Sequence, residues 1–302
     1  MRYLFAIYLI FFAKMAFGQT TMDHFANGSA KIVEGDLKGA IEKFDQAISH
    51  DASFKDAYIS RGVAKHELGK YEEAIADFDI AIELDPEDAV PYYNRGFSRI
   101  KIGDYSGALR DCDRAVELDP YDANAWINRG VVKAESGDIV AAIEDFNNAV
   151  KINPNDSRAY NIRGAARKEI TDVDGAVADY TIAIELHPSN PVPYYNRGLA
   201  RHESGDLETA IGDYTIAISL NPEYLKAFNN RAYARQETGD LKGALEDFDK
   251  IIELNPLDPL TYVYRGAVKY LLKDRDGACA DWHMARELGL QETQSTIARF
   301  CK

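Results

Sequence analysis

The sequence predicts an all-α solenoid of stacked helix-turn-helix units, and three observations lead there. An arginine followed by a small residue recurs every 34 residues, seven times in phase: Arg61-Gly62, Arg95-Gly96, Arg129-Gly130, Arg163-Gly164, Arg197-Gly198, Arg231-Ala232 and Arg265-Gly266. Between these pairs apolar and small residues return at steps of three and four, which is the period of an amphipathic helix, and no segment alternates as a strand would. Proline closes six of the seven periods, at Pro86, Pro120, Pro154, Pro188, Pro222 and Pro256. Proline lacks an N–H and crowds the preceding turn, so it ends a helix at a fixed place.

At the N-terminus, Arg2 precedes an apolar run from Tyr3 to Ala13, and the small residues Ala16 and Gly18 stand at the spacing a signal peptidase reads. The run is shorter than the roughly 20 apolar residues a spanning helix needs. Residues 1–18 are therefore expected to be a secretory signal, cut before Gln19, which predicts a secreted or periplasmic protein. An uncleaved membrane anchor is the alternative. No cysteine follows the run, which argues against a lipoprotein signal.

A degenerate unit is expected over residues 19–54. It keeps Gly28, Gly35-Asp36, Ala40, Phe44 and Ala47, but His24 stands for the aromatic residue and Asn27 for the arginine. Terminal repeats are atypical because one face meets water. Seven full repeats follow, at 55–88, 89–122, 123–156, 157–190, 191–224, 225–258 and 259–290. The first helix of each carries an aromatic residue at its fourth position: Tyr58, Tyr92, Trp126, Tyr160, Tyr194, Phe228 and Tyr262. Alanine at the twentieth position lets the paired helices approach, and a bulky residue fills the twenty-fourth except at Cys112. Between the helices, Gly103-Asp104, Gly137-Asp138, Gly205-Asp206 and Gly239-Asp240 pair a helix-ending glycine with a capping aspartate. Asp172 and Asp274 open stretches that mimic a calcium loop but lack its remaining ligands, so they too are read as caps. Gly289 ends the last helix, and residues 291–302 are expected to form a capping helix.

The pattern aromatic-x-x-Arg-Gly, Gly-Asp, Ala-x-x-x-Phe/Tyr-x-x-Ala and proline at these offsets resembles the tetratricopeptide repeat, in the "Asn-Arg-Gly" form common in bacterial proteins. The resemblance spans residues 21–290. It implies a right-handed superhelix whose concave groove, lined by the first helices, binds peptides or protein segments. An arginine where the family often has leucine, and a basic residue where it often has tyrosine, are departures.

The arginines invite an anion-binding reading, but Asp77, Asp111, Asp145, Asp179, Asp213, Asp247 and Asp281 hold the same phase. An unpaired buried charge is costly, so matched ladders predict inter-helix ion pairs. Lys65, Arg99, Lys133, Arg167, Arg201, Arg235 and Lys269, one turn after each arginine, are expected to join them or to reach solvent.

The resemblance puts the second, fifth, sixth, ninth, twelfth and thirteenth positions of each first helix on the inner face. The sixth holds Asn94, Asn128, Asn196 and Asn230, and the fifth adds Tyr93, Asn161, Tyr195 and Asn229. An asparagine amide both donates and accepts, so a row of them can pair with a peptide backbone whatever its side chains. Tyrosine adds rigid contact area with a polar tip. The row resembles the asparagine ladder of O-GlcNAc transferases; the alternative is that these residues solvate an exposed face. Glu67, Glu135, Glu169, Glu203 and Glu237 form a further row, which would favour a basic segment if it faces inward and is a solvated face otherwise. The dicarboxylate clamp that some family members use for chaperone C-termini needs lysine at the fifth position and asparagine at the ninth, and it is absent here.

Cys279 takes the place of Ile75, Leu109, Ile143, Val177, Ile211 and Leu245, a position that packs toward the next helix. For the last repeat that helix is the cap, which carries Cys301. In an oxidising compartment a Cys279–Cys301 bridge is expected to staple it. Cys112 is a core residue.

The formal charge of −14 argues against nucleic acid and anionic membrane as partners and favours neutral or basic ones, though it also serves solubility. The six histidines are scattered without metal-ligand spacing, and no phosphate-loop, dinucleotide, nucleophile-elbow or zincin motif occurs. No enzyme, cofactor or metal is expected. The predicted function is an adaptor, a monomer or part of a complex, that holds a peptide or partner protein in its groove. A membrane-anchored assembly component using its convex face or edges is the alternative.

Overall fold

The computed structural model describes residues 20–301, so the signal expected at residues 1–18 lies outside the described residues. All regular structure among them is helical. Helix α1 covers residues 20–33, and α2 is Leu37–His50. Seven hairpins follow: α3 (Lys55–Glu67) with α4 (Tyr71–Leu84), α5 (Ala89–Lys101) with α6 (Tyr105–Leu118), α7 (Ala123–Glu135) with α8 (Ile139–Ile152), α9 (Ser157–Glu169) with α10 (Val173–Leu186), α11 (Pro191–Glu203) with α12 (Leu207–Leu220), α13 (Leu225–Glu237) with α14 (Leu241–Leu254), and α15 (Pro259–Leu271) with α16 (Arg275–Glu287). The short α17 (Thr293–Phe300) closes the chain, within the 291–302 stretch read as a cap. The chain divides into two compact units, one ending at Pro154 and the other starting at Asn155.

Helix ends obey local rules. The residue before each proline leaves the helical region, as at Asp85 (φ −150°, ψ 92°), because the proline ring crowds it. Asp51 ends α2 in the same way with no proline after it. Proline therefore sharpens an ending that tertiary packing also enforces. First helices end on a left-handed residue, glycine at 35, 69, 103, 137, 205 and 239 but Thr171 (φ 63°) and Lys273 (φ 70°) in two repeats. The next residue's N–H then closes back on the helix, as Lys70 does on the Lys65 carbonyl at 2.9 Å.

The predicted aspartate caps form at Asp104, Asp138, Asp172, Asp240 and Asp274, each accepting a backbone N–H of its helix's first turn. Asp206 differs: its carboxylate takes the Thr209 hydroxyl instead of a backbone N–H. The first helices carry a second set of caps, at Asp88, Asp122, Asp156, Asn190 and Asp258, two residues after five of the six closing prolines, whereas Tyr224 after Pro222 makes no side-chain cap.

Hairpins close on a ring laid over a bare backbone. A Cβ on Gly130 would meet the Phe146 ring at 2.5 Å, and one on Gly62 would meet Phe78 at 2.6 Å. The small residue after each arginine therefore makes room for the twenty-fourth side chain. Where that residue is Cys112, the corresponding contact relaxes to 3.2 Å.

The arginine sits beside this glycine, and its Nε and Nη2 grip the aspartate sixteen residues on. Arg129 Nε donates to Asp145 Oδ2 at 2.9 Å and Nη2 to Oδ1 at 2.7 Å, and all seven arginines repeat this fork. The basic residue one turn later binds the same carboxylate, as Lys133 does at 2.8 Å. Nη1 reaches back to the preceding repeat's second helix: Arg129 to Asp113, Arg61 to Asp45, Arg95 to Asp79 and Arg265 to Asp249. Thr181 and Thr215 take that place for Arg197 and Arg231. Each guanidinium also lies over the fourth-position ring, between 4.7 Å at Trp126 and 5.9 Å at Tyr194. At Tyr92, Trp126 and Tyr262 the ring's polar group donates to the carbonyl of the proline six residues back.

At the C-terminus Cys279 is bonded to Cys301, with Cα atoms 5.6 Å apart. Phe300 lies on Tyr270 and Trp282, and Arg286 donates to Gln294, so α17 covers the face that a further hairpin would cover.

Two stability outcomes follow from this geometry. Arg129→Ala leaves Asp145, 2% exposed, with Lys133 alone, and should cost about 3 kcal/mol; an unchanged melting temperature would contradict the clamp. Thr171→Gly and Lys273→Gly each relieve a left-handed side-chain residue and should gain about 1 kcal/mol in urea denaturation. Loss of stability in both would show that their side chains, not the backbone, set these turns.

Candidate functional site

Within each unit successive first helices touch one another, α3 with α5 and α5 with α7, and likewise α9 with α11 and α11 with α13. First helices thus form a continuous face, and its polar side chains meet across repeats. In the second unit Asn196 Nδ2 donates to Asn161 Oδ1 at 3.0 Å, and Asn230 Nδ2 donates to the Tyr195 hydroxyl at 3.0 Å. Both bonds join the fifth position of one repeat to the sixth of the next. Part of each amide's capacity is consequently spent inside the protein.

The next fifth–sixth pair, Asn229 and Tyr264, is not so closed. Both line a cleft of about 310 Å³ together with Tyr195, Asn230, Tyr233, Lys226 and Asp258. Its wall is aromatic, with Tyr233 and Tyr264 edge to face at 5.2 Å. Burial, then a hydrogen bond with Tyr264, raises the Tyr233 phenol well above its ordinary range, so it stays protonated. The Asp258 carboxylate is occupied by the backbone N–H groups of Leu260 and Thr261 and by the Thr261 hydroxyl. Lys226 and Asn229 make no such internal commitment. The cleft therefore offers a rigid aromatic wall beside hydrogen-bonding groups that remain available.

In the first unit the predicted residues behave differently. Asn94 Nδ2 turns back onto the Val90 carbonyl at 3.0 Å, while Asn128 is only 6% exposed and offers little to a partner. Burial raises the Tyr93 phenol's pKa. The glutamate row is exposed along its length. Glu203 and Glu237 bridge to Lys168 (2.8 Å) and His202 (3.2 Å), the twelfth-position residues of the preceding repeats.

Lys226, Tyr233 and Tyr264 were not singled out from sequence. Their signal was the second, ninth and sixth positions of the frame, which become a site only when two neighbouring repeats are read together. Among the described residues no group of three or more metal-binding side chains converges, and no helix is long and apolar enough to cross a membrane.

Repeated hairpins in one register, with polar side chains along the shared face of their first helices, define a helical repeat protein. Tetratricopeptide repeat models match residues 64–103, 100–167 and 195–259, and the chain belongs to the tetratricopeptide repeat family. Such repeats mediate protein–protein interactions and are typically non-enzymatic. The chain is similar to a solved structure of the APC/C hetero-tetramer Cut9–Hcn1, with a TM-score of 0.60 and 17% identity over 88% of this chain; it spans only 53% of that one. It is similar to PilF of Pseudomonas aeruginosa, with a TM-score of 0.59 and 19% identity over 70% of this chain and 96% of that one. MamA from Desulfovibrio magneticus RS-1 gives a TM-score of 0.52 and 26% identity over 56% of this chain and 95% of that one. The first two likenesses are of fold alone. No curated protein matches the chain.

One side chain near the cleft stands out. The Tyr214 hydroxyl is buried with no hydrogen-bond partner among the described residues, and its ring lies 6.0 Å from that of Tyr195. An unsatisfied buried hydroxyl costs about 1–3 kcal/mol. Tyr214→Phe should accordingly leave the melting temperature unchanged or raise it. A clear fall would mean that this hydroxyl is satisfied by water.

Proposed function

We propose that this protein is a non-enzymatic adaptor that holds an extended segment of a partner protein against its first-helix face, outside the cytoplasm. The observation that carries the reading is the second-unit cleft, where Asn229 and Lys226 keep free hydrogen-bonding capacity beside the wall of Tyr195, Tyr233 and Tyr264. Backbone pairing to amides and contact with tyrosine suit a peptide better than a compact metabolite, because this cleft is open to solvent and does not enclose a small molecule. The extracytoplasmic reading rests on the Arg2–Gly18 pattern, and a Cys279–Cys301 bond suits an oxidising compartment.

One experiment tests both parts. Full-length protein is expressed in a Gram-negative host and recovered from the periplasm. Intact-mass measurement should place its N-terminus at Gln19. Immobilised wild type should retain a partner that the Lys226→Ala/Asn229→Ala variant binds about tenfold more weakly, equivalent to about 1.4 kcal/mol. Equal recovery by both proteins would remove the cleft from the reading, and retention of residues 1–18 in the cytoplasm would remove the location.

A further inference from the structure

The first-helix face of the first unit carries two adjoining hollows that share Val63 as a wall. One, of about 220 Å³, lies between α1 and α3 and is walled by Ile32, Phe44, Ile59 and Val63. Its lining includes Ser29, whose hydroxyl is already bonded to the Phe25 carbonyl at 3.1 Å. The other, of about 280 Å³, lies between α3 and α5 and is lined by Val63, His66, Glu67, Asn94 and Phe97.

The second hollow presents acceptors. Asn94 spends an amide N–H on the Val90 carbonyl, and its side-chain oxygen stays uncommitted. The Ser98 hydroxyl lies 3.2 Å from the Asn94 carbonyl and shares a hydrogen bond with His66 Nδ1 (2.9 Å), so Nδ1 is engaged within the protein. Burial lowers the His66 pKa, and the ring is neutral at pH 7. Glu67 is exposed, with no cation in salt-bridge reach among the described residues. Lys101 acts on His66 electrostatically but does not line the hollow. One negative charge, an amide oxygen and a neutral imidazole thus stand beside apolar Val63 and Phe97. A lysine or arginine side chain matches this set, with its stem on the apolar wall and its head on the acceptors.

The two hollows are one helix apart, and packed helices lie about 8–10 Å from axis to axis. A polyproline II segment advances about 3.1 Å per residue with three residues per turn, so side chains three apart share a face about 9 Å apart. A fully extended strand places same-face side chains about 6.6 or 13 Å apart, on either side of that spacing.

We propose that the first unit selects a polyproline II segment carrying an aliphatic and a basic residue three positions apart, the aliphatic side chain between α1 and α3 and the basic one on Glu67. This rests on the groove reading and narrows it to a class of partner. The chain's charge of −14 favours the same basic segment.

The test uses fluorescein-labelled proline-rich peptides and the mature protein, read by fluorescence anisotropy. The probes are Pro-Pro-Leu-Pro-Pro-Arg-Pro-Pro, its reversed order, and versions with glutamate for arginine or glycine for leucine. One order of the leucine–arginine peptide should bind at least tenfold more tightly than its glutamate and glycine versions. Glu67→Lys, an exposed change that should leave the melting temperature intact, should abolish that preference for arginine. Equal affinity for the arginine and glutamate peptides, no binding to any probe, or indifference to Glu67→Lys would each overturn the assignment. Partner capture that depends on Lys226 and Asn229 is measured separately, so the groove reading survives such a result unless that experiment fails as well.

Discussion

Each repeat is organised around one buried carboxylate. Asp145 and its six counterparts lie almost wholly out of water, and burying a charge is tolerable only when it is met by charge and hydrogen bonds together. Arginine supplies a planar two-toothed grip, and the basic residue one turn later adds a third donor. The same guanidinium extends to the preceding second helix and lies over the ring four positions into its own repeat. Three helices and a ring are therefore held in register by one side chain. Such a centre need not add much net stability. Its effect is that a hairpin slipped by a turn would strand a charge, which makes the correct stacking the one inexpensive choice.

The other regular positions follow from how closely this grip draws the helices together. Glycine beside the arginine admits the ring from the facing helix, and alanine at the twentieth position lets the backbones approach. The fourth-position residue is tyrosine or tryptophan in six repeats, and at three of them its edge donates to the proline carbonyl while its face receives the cation. These positions are held nearly constant along the array. Residues along the first-helix face vary from repeat to repeat, and there the two units differ. The second gathers tyrosine, asparagine and lysine, whereas the first pairs an apolar hollow with an acidic one.

The ends of the array solve a different problem. A stacked repeat protein exposes a packing face wherever the stack stops, and α17 covers the last one with Phe300 and Ile297. Eight residues form too short a helix to persist alone. Its bond to Cys279, its ring contacts and the Arg286–Gln294 hydrogen bond supply what helix propensity cannot.

Helix boundaries, turns, the core ring and the partnership of each arginine with the aspartate sixteen residues on were legible from the one-dimensional pattern. Each of these depends on contacts inside a single period, which a fixed spacing records. The back-reach of Arg61 and Arg95 to Asp45 and Asp79 recurs at the same offset, with threonine replacing aspartate in two repeats, and went unread because it joins one period to the one before. The asparagine row shows the limit more sharply. Asn196 and Asn230 are spent on Asn161 and Tyr195, Asn128 is covered, and Asn229 opens on a cleft with Tyr264. Identical residues at identical frame positions differ in availability because each meets a different side chain in the adjoining repeat, Asn161 for Asn196 and Tyr195 for Asn230, and that meeting is a property of packed neighbours, not of any one repeat.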